Sequence, residues 1–312
     1  MKTIATGVMA LLMSTGIALA AEPDECRDVV FSDVGWTDIT ATTALTTTVL
    51  DALGYKTEIK SIPALPVTFA SLAKGDIDVF LGNWMPSMEN DIRPYLDAGT
   101  IETLRTNLKG AKYTLATNAA GADLGIKSFN DIAKHADALD GKIYAIEPGN
   151  DGNRLLLEMV ADDRYGTGTV EIVESSEQGM LAQVARADSA GKPIVFLGWE
   201  PHPMNSQFQL TYLSDGDDTF GPDFGGAIVD TNVRKGLAQE CPNLGAFLKN
   251  VEFSLAMENE LMGKILNDGD EPAAAARAWI KDNPDAIQPW LAGVTTFDGG
   301  DASEAVTEAL AK

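Results

Sequence analysis

The chain has 312 residues and a formal charge of −23, with 46 acidic side chains against 23 Lys and Arg. This length is sufficient for two lobes of ordinary size. The acidity disfavours nucleic acid as a partner, because binding to phosphates requires a basic face. The two histidines, His135 and His202, have neither a cysteine nor a suitably spaced pair of carboxylates nearby in sequence, which disfavours a metal site.

The N-terminal residues resemble a secretory signal. Lys2 is followed by an apolar stretch at 8–19, and Ala18-Leu19-Ala20 has the small-x-small form of a signal peptidase site. We therefore predict that residues 1–20 are a signal peptide cleaved near Ala20; the alternative is an uncleaved membrane anchor. No later segment has the ~18 apolar residues of a membrane span, so the mature protein is expected to be exported and soluble, with a charge of −24 once Lys2 is lost.

Strands and helices are predicted to alternate through the first part of the chain. Apolar runs indicate strands at 29–34, 56–62 and 77–81, and helical periodicity indicates helices at 42–53 and 67–74. Glycines at 54 and 75 are expected to end these helices. This βαβαβ pattern favours a mostly parallel sheet.

A second α/β series is predicted after a crossing segment at 112–118. Ser128-Phe129-Asn130-Asp131 has the form of a capping box. Strands are expected at 142–147, 170–174 and 192–197, with helices at 153–162 and 177–187. A strand at 207–213, a segment at 227–230, a helix near 231–239, and helical stretches at 242–266 and 271–281 follow, and the polar tail at 299–312 is expected to be loosely attached.

The predicted architecture is an α/β fold in which one lobe is inserted into the other. The first lobe would comprise 21–112 and 210–312, the latter including the tail, and the second lobe would comprise 113–209. The two cysteines, Cys26 and Cys241, flank the inserted lobe. In an exported protein an isolated pair is most simply a disulfide, which here would join the two segments of the first lobe; two buried thiols are the alternative.

Three of the five tryptophans follow strand-like runs. Each run contains a glycine expected to turn the chain just before the indole, as in Val34-Gly35-Trp36, Leu81-Gly82-Asn83-Trp84 and Leu197-Gly198-Trp199. Because open α/β sheets hold ligands at strand ends, these indoles are expected to face one crevice, and several aromatic faces suit a quaternary ammonium cation. The alternative is that they fill the core, the role assigned to Trp279 and Trp290.

Three polar residues near these positions have two interpretations each. Asp38 could cap the following helix, meet the ligand, or do both. Asn150, in a turn-rich loop before a helix, could be a turn residue or a ligand contact. His202 could lie near the crevice or be an ordinary loop residue. No nucleophile elbow, phosphate loop or dinucleotide fingerprint is present, so the sequence names no catalytic residue and no cofactor.

The segments around the three tryptophans resemble the substrate-binding proteins of quaternary-ammonium ABC importers, and among them the choline binders. The matching segments are Asp33-Val34-Gly35-Trp36-Thr37-Asp38-Ile39, Gly75-Asp76-Ile77-Asp78-Val79-Phe80-Leu81-Gly82-Asn83-Trp84-Met85-Pro86 and Gly198-Trp199-Glu200-Pro201-His202. The resemblance implies a type II periplasmic binding fold of two α/β lobes that close about a hinge. It also implies an aromatic box of four rings, Trp36, Trp84, Tyr113 and Trp199. Tyr113 enters on the resemblance alone.

The resemblance further implies roles and partners. Asp38 would meet the hydroxyl of choline and Asn150 would make a second polar contact. Glycine-betaine binders instead offer donors to a carboxylate, which Asp38 would repel, so choline is favoured over glycine or proline betaine. The implied protein is a periplasmic monomer that delivers choline to an ABC permease, with acetylcholine and betaines as further possible ligands. An exported enzyme acting on choline esters is the alternative of a different class.

Overall fold

The computed structural model describes residues 22–310, so the predicted signal peptide at 1–20 lies outside the described part of the chain. Within residues 22–310 nine strands form one sheet in the order β2-β1-β3-β9-β4-β7-β5-β6, with β8 paired to β4. The strands are β1 Asp28–Asp33, β2 Lys56–Ser61, β3 Val79–Met85, β4 Ile101–Thr117, β5 Lys142–Tyr144, β6 Glu171–Val173, β7 Val195–Glu200, β8 Thr211–Tyr212 and β9 Gly226–Arg234.

Fifteen α-helical segments are found between residues 22 and 310. They are α1 Thr37–Ala52, α2 Leu65–Lys74, α3 Glu89–Asp97, α4 Ala119–Leu124, α5 Phe129–Ile132, α6 Asp151–Ala161, α7 Glu177–Ser189, α8 Met204–Gln207, α9 Asp217–Phe220, α10 Pro222–Gly225, α11 Leu237–Glu240, α12 Pro242–Asn250, α13 Leu255–Met262, α14 Pro272–Asp282 and α15 Ala302–Leu310. None of the helices within this range has the length and apolar character that crossing a bilayer requires.

Parallel pairing occurs at the two ends of the sheet, and antiparallel pairing occurs in its middle. In the first lobe β1 pairs parallel with β2 and β3, and in the second lobe β5 pairs parallel with β6 and β7. Between them β9 and β4 run antiparallel to each other and to their outer neighbours. The two-lobed α/β fold predicted from the alternating elements is confirmed.

Helix α1 is buried along most of its length although it is rich in threonine. The hydroxyls of Thr42, Thr46, Thr47 and Thr48 each donate to the carbonyl four residues earlier. This bonding satisfies polar groups that would otherwise be costly to bury. Helix α1 can therefore pack within the first lobe and hold its N-terminus, the start of the candidate site, against the second lobe.

The chain passes between the lobes through two neighbouring strands. It enters the second lobe within β4, whose first part pairs with β9 and whose last part pairs with β7. It returns at the start of β9, where Ala227 is paired with Ala111 of β4. Strand β8 still pairs with the second-lobe end of β4, and Phe220 packs on Phe129. The chain therefore returns to the first lobe after residue 220, later than the boundary predicted at 209/210. The sequence predicts a strand here but not that it pairs with the second-lobe end of β4.

Several elements after residue 200 differ from the predictions. The helix predicted near 231–239 is wrong over its first half, because Thr231 and Val233 lie in the buried interior of β9. The stretch at 242–266 is not one helix: it is interrupted after Asn250, and Ser254 caps α13 by accepting from the N–H of Met257. The strand predicted at 207–213 shortens to β8, and α8 precedes it.

The C-terminal tail is attached more firmly than predicted. Within it, α15 buries Ala302 and Val306, one turn apart, as part of the hydrophobic core. Trp279 and Trp290 are buried packing residues, in agreement with their assignment. Cys26 and Cys241 form a disulfide between the N-terminal segment and the start of α12, so the two segments of the first lobe are covalently joined as predicted.

Candidate functional site

All six predicted site residues line one cavity between the lobes. The empty space among its lining residues, including the open solvent at its mouth, is about 280 Å³, which leaves room only for a small molecule. A small ligand is therefore the suitable occupant. The lining residues are Trp36, Asp38, Trp84, Met88, Tyr113, Ile146, Asn150, Asp151 and Trp199.

The four aromatic rings come from both lobes. Trp36 immediately precedes α1 and Trp84 lies in β3, whereas Tyr113 and Trp199 are directly paired across β4 and β7. The ring centroid of Tyr113 lies 6.0 Å from that of Trp84 and 6.3 Å from that of Trp199. Phe220 supports Tyr113 edge-on at 5.5 Å. All four rings of the box are almost wholly buried, so a ligand among them would be removed from water.

Two of the three glycines before the indoles do not turn the chain, contrary to prediction. Only Gly35 has a positive φ, of 92°. Gly82 lies inside β3, where a Cβ would meet the Cδ1 of Ile39 at 2.4 Å, and Gly198 lies inside β7, where a Cβ would meet the Cβ of Ala116 at 2.9 Å. These glycines let neighbouring elements approach closely, and the strands continue through them as far as the tryptophans.

Hydrogen bonds fix the orientation of two indoles. The Nε1–H of Trp84 donates to Oδ2 of Asp38 at 3.0 Å, and the Nε1–H of Trp36 donates to Oε1 of Glu147 at 2.7 Å. The first bond lies within the first lobe and the second crosses to the second lobe. Both indoles are thus held with their polar edges engaged, which leaves the apolar faces to meet a ligand.

Asp38 is not the N-cap of α1, so that interpretation is wrong. The helix begins at Thr37 with Trp36 in the cap position, and Asp38 lies in the first turn, where the positive end of the helix dipole favours a negative charge. Burial, and next the charge of Glu177, raise the pKa of Asp38 to about 7. A cation in the cavity would favour ionised Asp38 and reverse part of this shift.

Asn150 is both a helix cap and a lining residue. Its Oδ1 accepts from the N–H groups of Gly152 and Asn153 at 2.8 and 3.2 Å, which caps α6. The same oxygen accepts from the hydroxyl of Tyr113 at 3.0 Å. Asn150 therefore positions a ring of the box as well as lining the cavity.

Three lining residues were missed from the sequence: Met88, Ile146 and Asp151. Asp151 is buried, and its Oδ2 has no hydrogen-bond partner among residues 22–310. Burial raises the pKa of Asp151 to about 7. Its position next to Asn150 in the same loop was a usable signal. Met88 and Ile146 carry no sequence signal that separates them from core residues.

The charges around the cavity favour a cation. Asp38 and Asp151 contribute one carboxyl from each lobe, and no Lys, Arg or His of the described chain lines the space. Aromatic faces are electron-rich and attract a cation that cannot donate hydrogen bonds. The site can therefore hold a methylated ammonium group by charge, shape and ring faces together.

His202 does not line the cavity but packs behind it. Its ring lies edge-on to Trp199, with centroids 4.8 Å apart. Its Nδ1 accepts from the N–H of Met204 at 3.0 Å, so Nε2 carries the proton and donates to Oε1 of Glu177 at 3.1 Å. Glu177 was also missed, because nothing local in sequence connects it to the site.

Comparisons with known proteins agree with this geometry. An ABC-transporter choline binding protein, solved in complex with choline, is 66% identical, with a TM-score of 0.91, covering 93% of this chain and 100% of that chain. An ABC-transporter choline binding protein in an unliganded semi-closed conformation is 65% identical, with a TM-score of 0.85 and the same coverage. The glycine betaine/carnitine transport binding protein GbuC of Listeria monocytogenes serotype 1/2a (strain 10403S) is 30% identical over 208 residues, which are 67% of this chain and 64% of that protein.

Residues 27–282 match the family described as the substrate binding domain of the ABC-type glycine betaine transport system. This match spans both lobes and every residue of the cavity lining. The chain belongs to this family of ABC importer substrate-binding proteins.

Proposed function

We propose that this protein captures choline in its aromatic box and delivers it to the membrane permease of an ABC importer. The observation that carries the proposal is the composition of the cavity wall. Four aromatic rings and two carboxyl groups surround the space, and no basic side chain of residues 22–310 lines it. In this proposal the trimethylammonium group is enclosed by four rings, those of Trp36, Trp84, Tyr113 and Trp199. The hydroxyl of choline makes polar contacts with Asp38 and Asn150.

The expected energies are consistent with a useful affinity. A desolvated cation–π contact contributes about 2 kcal/mol, so four rings would supply roughly 8 kcal/mol before the costs of association. Micromolar affinity requires about 8 kcal/mol net. The rings alone are therefore marginal, and the acidic groups and lobe closure are expected to supply the remainder.

Choline is favoured over the betaines by charge. Glycine betaine and proline betaine carry a carboxylate where choline carries a hydroxyl. That carboxylate would meet Asp38 and Asp151 in a buried space, and like charges in a low dielectric repel strongly. A betaine would therefore bind only at the cost of keeping these acids protonated. The relative GbuC, a glycine betaine/carnitine transport binding protein, keeps glycine betaine as the second candidate.

Calorimetric titration with choline, glycine betaine, proline betaine and acetylcholine tests the ligand assignment directly. We expect choline to bind most tightly and the betaines to bind at least about tenfold more weakly near pH 8, where both acids are mostly ionised. Tighter binding of glycine betaine than of choline would contradict the proposal. Mass spectrometry of acetylcholine after incubation separates a carrier from an esterase, because only an enzyme would convert it.

We further propose that the protein acts as a periplasmic monomer after cleavage near Ala20. Family membership supports export, and the sequence at Ala18-Leu19-Ala20 supports the cleavage point. Intact-mass measurement of the protein isolated from the periplasm would locate its N-terminus. Light scattering coupled to gel filtration would give its oligomeric state, and a dimer would contradict the monomer.

A further inference from the structure

A buried polar cluster joins the two lobes behind the aromatic box. Thr37 lies at the start of α1 in the first lobe, Glu177 at the start of α7 in the second, and His202 follows β7. Their exposed fractions are 5%, 2% and 1%, respectively. None of them lines the cavity, so a direct ligand contact does not explain the cluster.

The carboxylate of Glu177 is the centre of this cluster. Its Oε2 accepts from the backbone N–H of Thr37 at 2.9 Å. Its Oε1 accepts from the hydroxyl of Thr37 and from Nε2–H of His202, the latter at 3.1 Å. Three donors thus satisfy a buried carboxylate, which is the condition under which a buried charge is tolerated.

Both partners of Glu177 adjoin a ring of the box. Thr37 directly follows Trp36, and the imidazole of His202 packs against the indole of Trp199. One carboxylate therefore connects a tryptophan of the first lobe to a tryptophan of the second. Opening of the lobes would separate Thr37 from Glu177 and return the carboxylate to water.

We infer that Glu177 is a positioning residue that holds the two halves of the box in register and slows ligand release, an inference that rests on the proposed function. The bonds to Thr37 link the two lobes; lobe opening would break them, so they favour the closed state over the open one. A ligand that also needs the closed state then leaves only after these buried bonds break. The contact contributes to residence time more than to the rate of encounter.

Another cross-lobe contact, more exposed to solvent, provides the control. Arg154 of α6 donates to Asp91 of α3 at 2.8 Å, with side chains 27% and 20% exposed. This pair is partly solvated, and such ion pairs contribute little. If any cross-lobe bond sufficed to hold the ligand, removing this one would have the same effect as removing Glu177.

The test measures choline association and dissociation by stopped-flow tryptophan fluorescence. We expect Glu177→Gln and Thr37→Val to speed dissociation by about tenfold or more, because each removes a bond to a buried charge. Association should change by less than about threefold, since the cluster forms after encounter. Thr37→Ser keeps the hydroxyl and should dissociate like the wild type, and Asp91→Asn should change dissociation by less than about threefold.

Melting of the ligand-free variants separates positioning from a merely structural role. A positioning role predicts ligand-free melting temperatures close to the wild type and a smaller rise on adding choline. The inference is overturned if Glu177→Gln and Thr37→Val release choline at the wild-type rate. It is also overturned if the two variants lose ligand-free stability in parallel with affinity. Absence of choline binding by the wild-type protein would contradict the proposed function instead.

Discussion

Choline binding should strengthen as the pH rises from 6 to 8, because the cation requires an ionised carboxylate at the site. Burial raises the pKa of Asp38 to about 7 in the ligand-free protein. If choline binds only the ionised form, about 9% of the protein is competent at pH 6 and about 91% at pH 8. The apparent Kd should therefore fall about tenfold across this range, and further if Asp151, whose pKa burial also raises to about 7, must ionise as well.

Isothermal titration in buffers of different ionisation enthalpy measures both the affinity and the protons released. Binding at pH 6 should release close to one proton per Asp that ionises, and binding at pH 8 close to none. Asp38→Asn should bind more weakly at pH 8 and lose the roughly tenfold part of the pH dependence that Asp38 contributes. A wild-type Kd that stays constant from pH 6 to 8, or a full pH dependence in Asp38→Asn, would refute this account.

The raised pKa of Asp38 also makes the stability of the folded protein depend on pH. The pKa of Asp38 is about 7 in the folded protein and close to the ordinary value of 3.8 in the unfolded chain, so between these pH values the folded state binds more protons. The contribution of Asp38 to stability is therefore present below the unfolded pKa and is lost as the pH rises through about 7. Choline should offset this loss, so the rise in melting temperature on adding choline should be larger at pH 8 than at pH 6.

Three further predictions follow from the described contacts. Trp84→Ala should weaken choline binding by at least about thirtyfold in calorimetry, the equivalent of one cation–π contact of about 2 kcal/mol, whereas Trp279→Phe, remote from the cavity, should not. Asp151→Asn should weaken choline more than glycine betaine in parallel titrations, because it removes the charge that repels the betaine carboxylate. Replacing Cys26 and Cys241 together by Ser should lower the free energy of unfolding by up to about 5 kcal/mol in urea, given their separation of 215 residues.

Each of these three predictions can be contradicted by a specific measurement. Full affinity in Trp84→Ala would exclude the box as the binding element. An unchanged choline-to-betaine ratio in Asp151→Asn would remove that carboxyl from selectivity. Equal urea midpoints for the double serine variant and the wild type would mean that the disulfide does not restrict the unfolded chain.

The sequence predicted the strand-and-helix alternation well where its signals are local. Strand β2 and helix α7 were found because their apolar spacing and end signals lie within one element. The predictions that were wrong concern segments whose structure depends on contacts with residues far away in sequence. Thr231 and Val233 are strand residues because β9 is enclosed between β3 and β4, and α15 is anchored because Val306 finds a core formed far earlier in the chain.

In the candidate site, too, the residues with a local sequence pattern could be predicted and those that depend on distant contacts could not. The tryptophans could be recognised at strand ends, but Tyr113 required the family resemblance, since one tyrosine in a long strand has no distinctive local pattern. Glu177 could not be found at all. Its partner Thr37 lies 140 residues away, and only the folded chain brings them together.

The two lobe crossings lie side by side, with Ala111 of β4 paired to Ala227 of β9. The ends of the inserted lobe are therefore about one strand spacing apart, roughly 5 Å. An insert with neighbouring ends can be excised or exchanged as a cassette, leaving a short hairpin in its place. Because both crossings lie at this junction, lobe movement that accompanies ligand binding would pivot there, and a reporter grafted beside it would convert ligand occupancy into an optical signal.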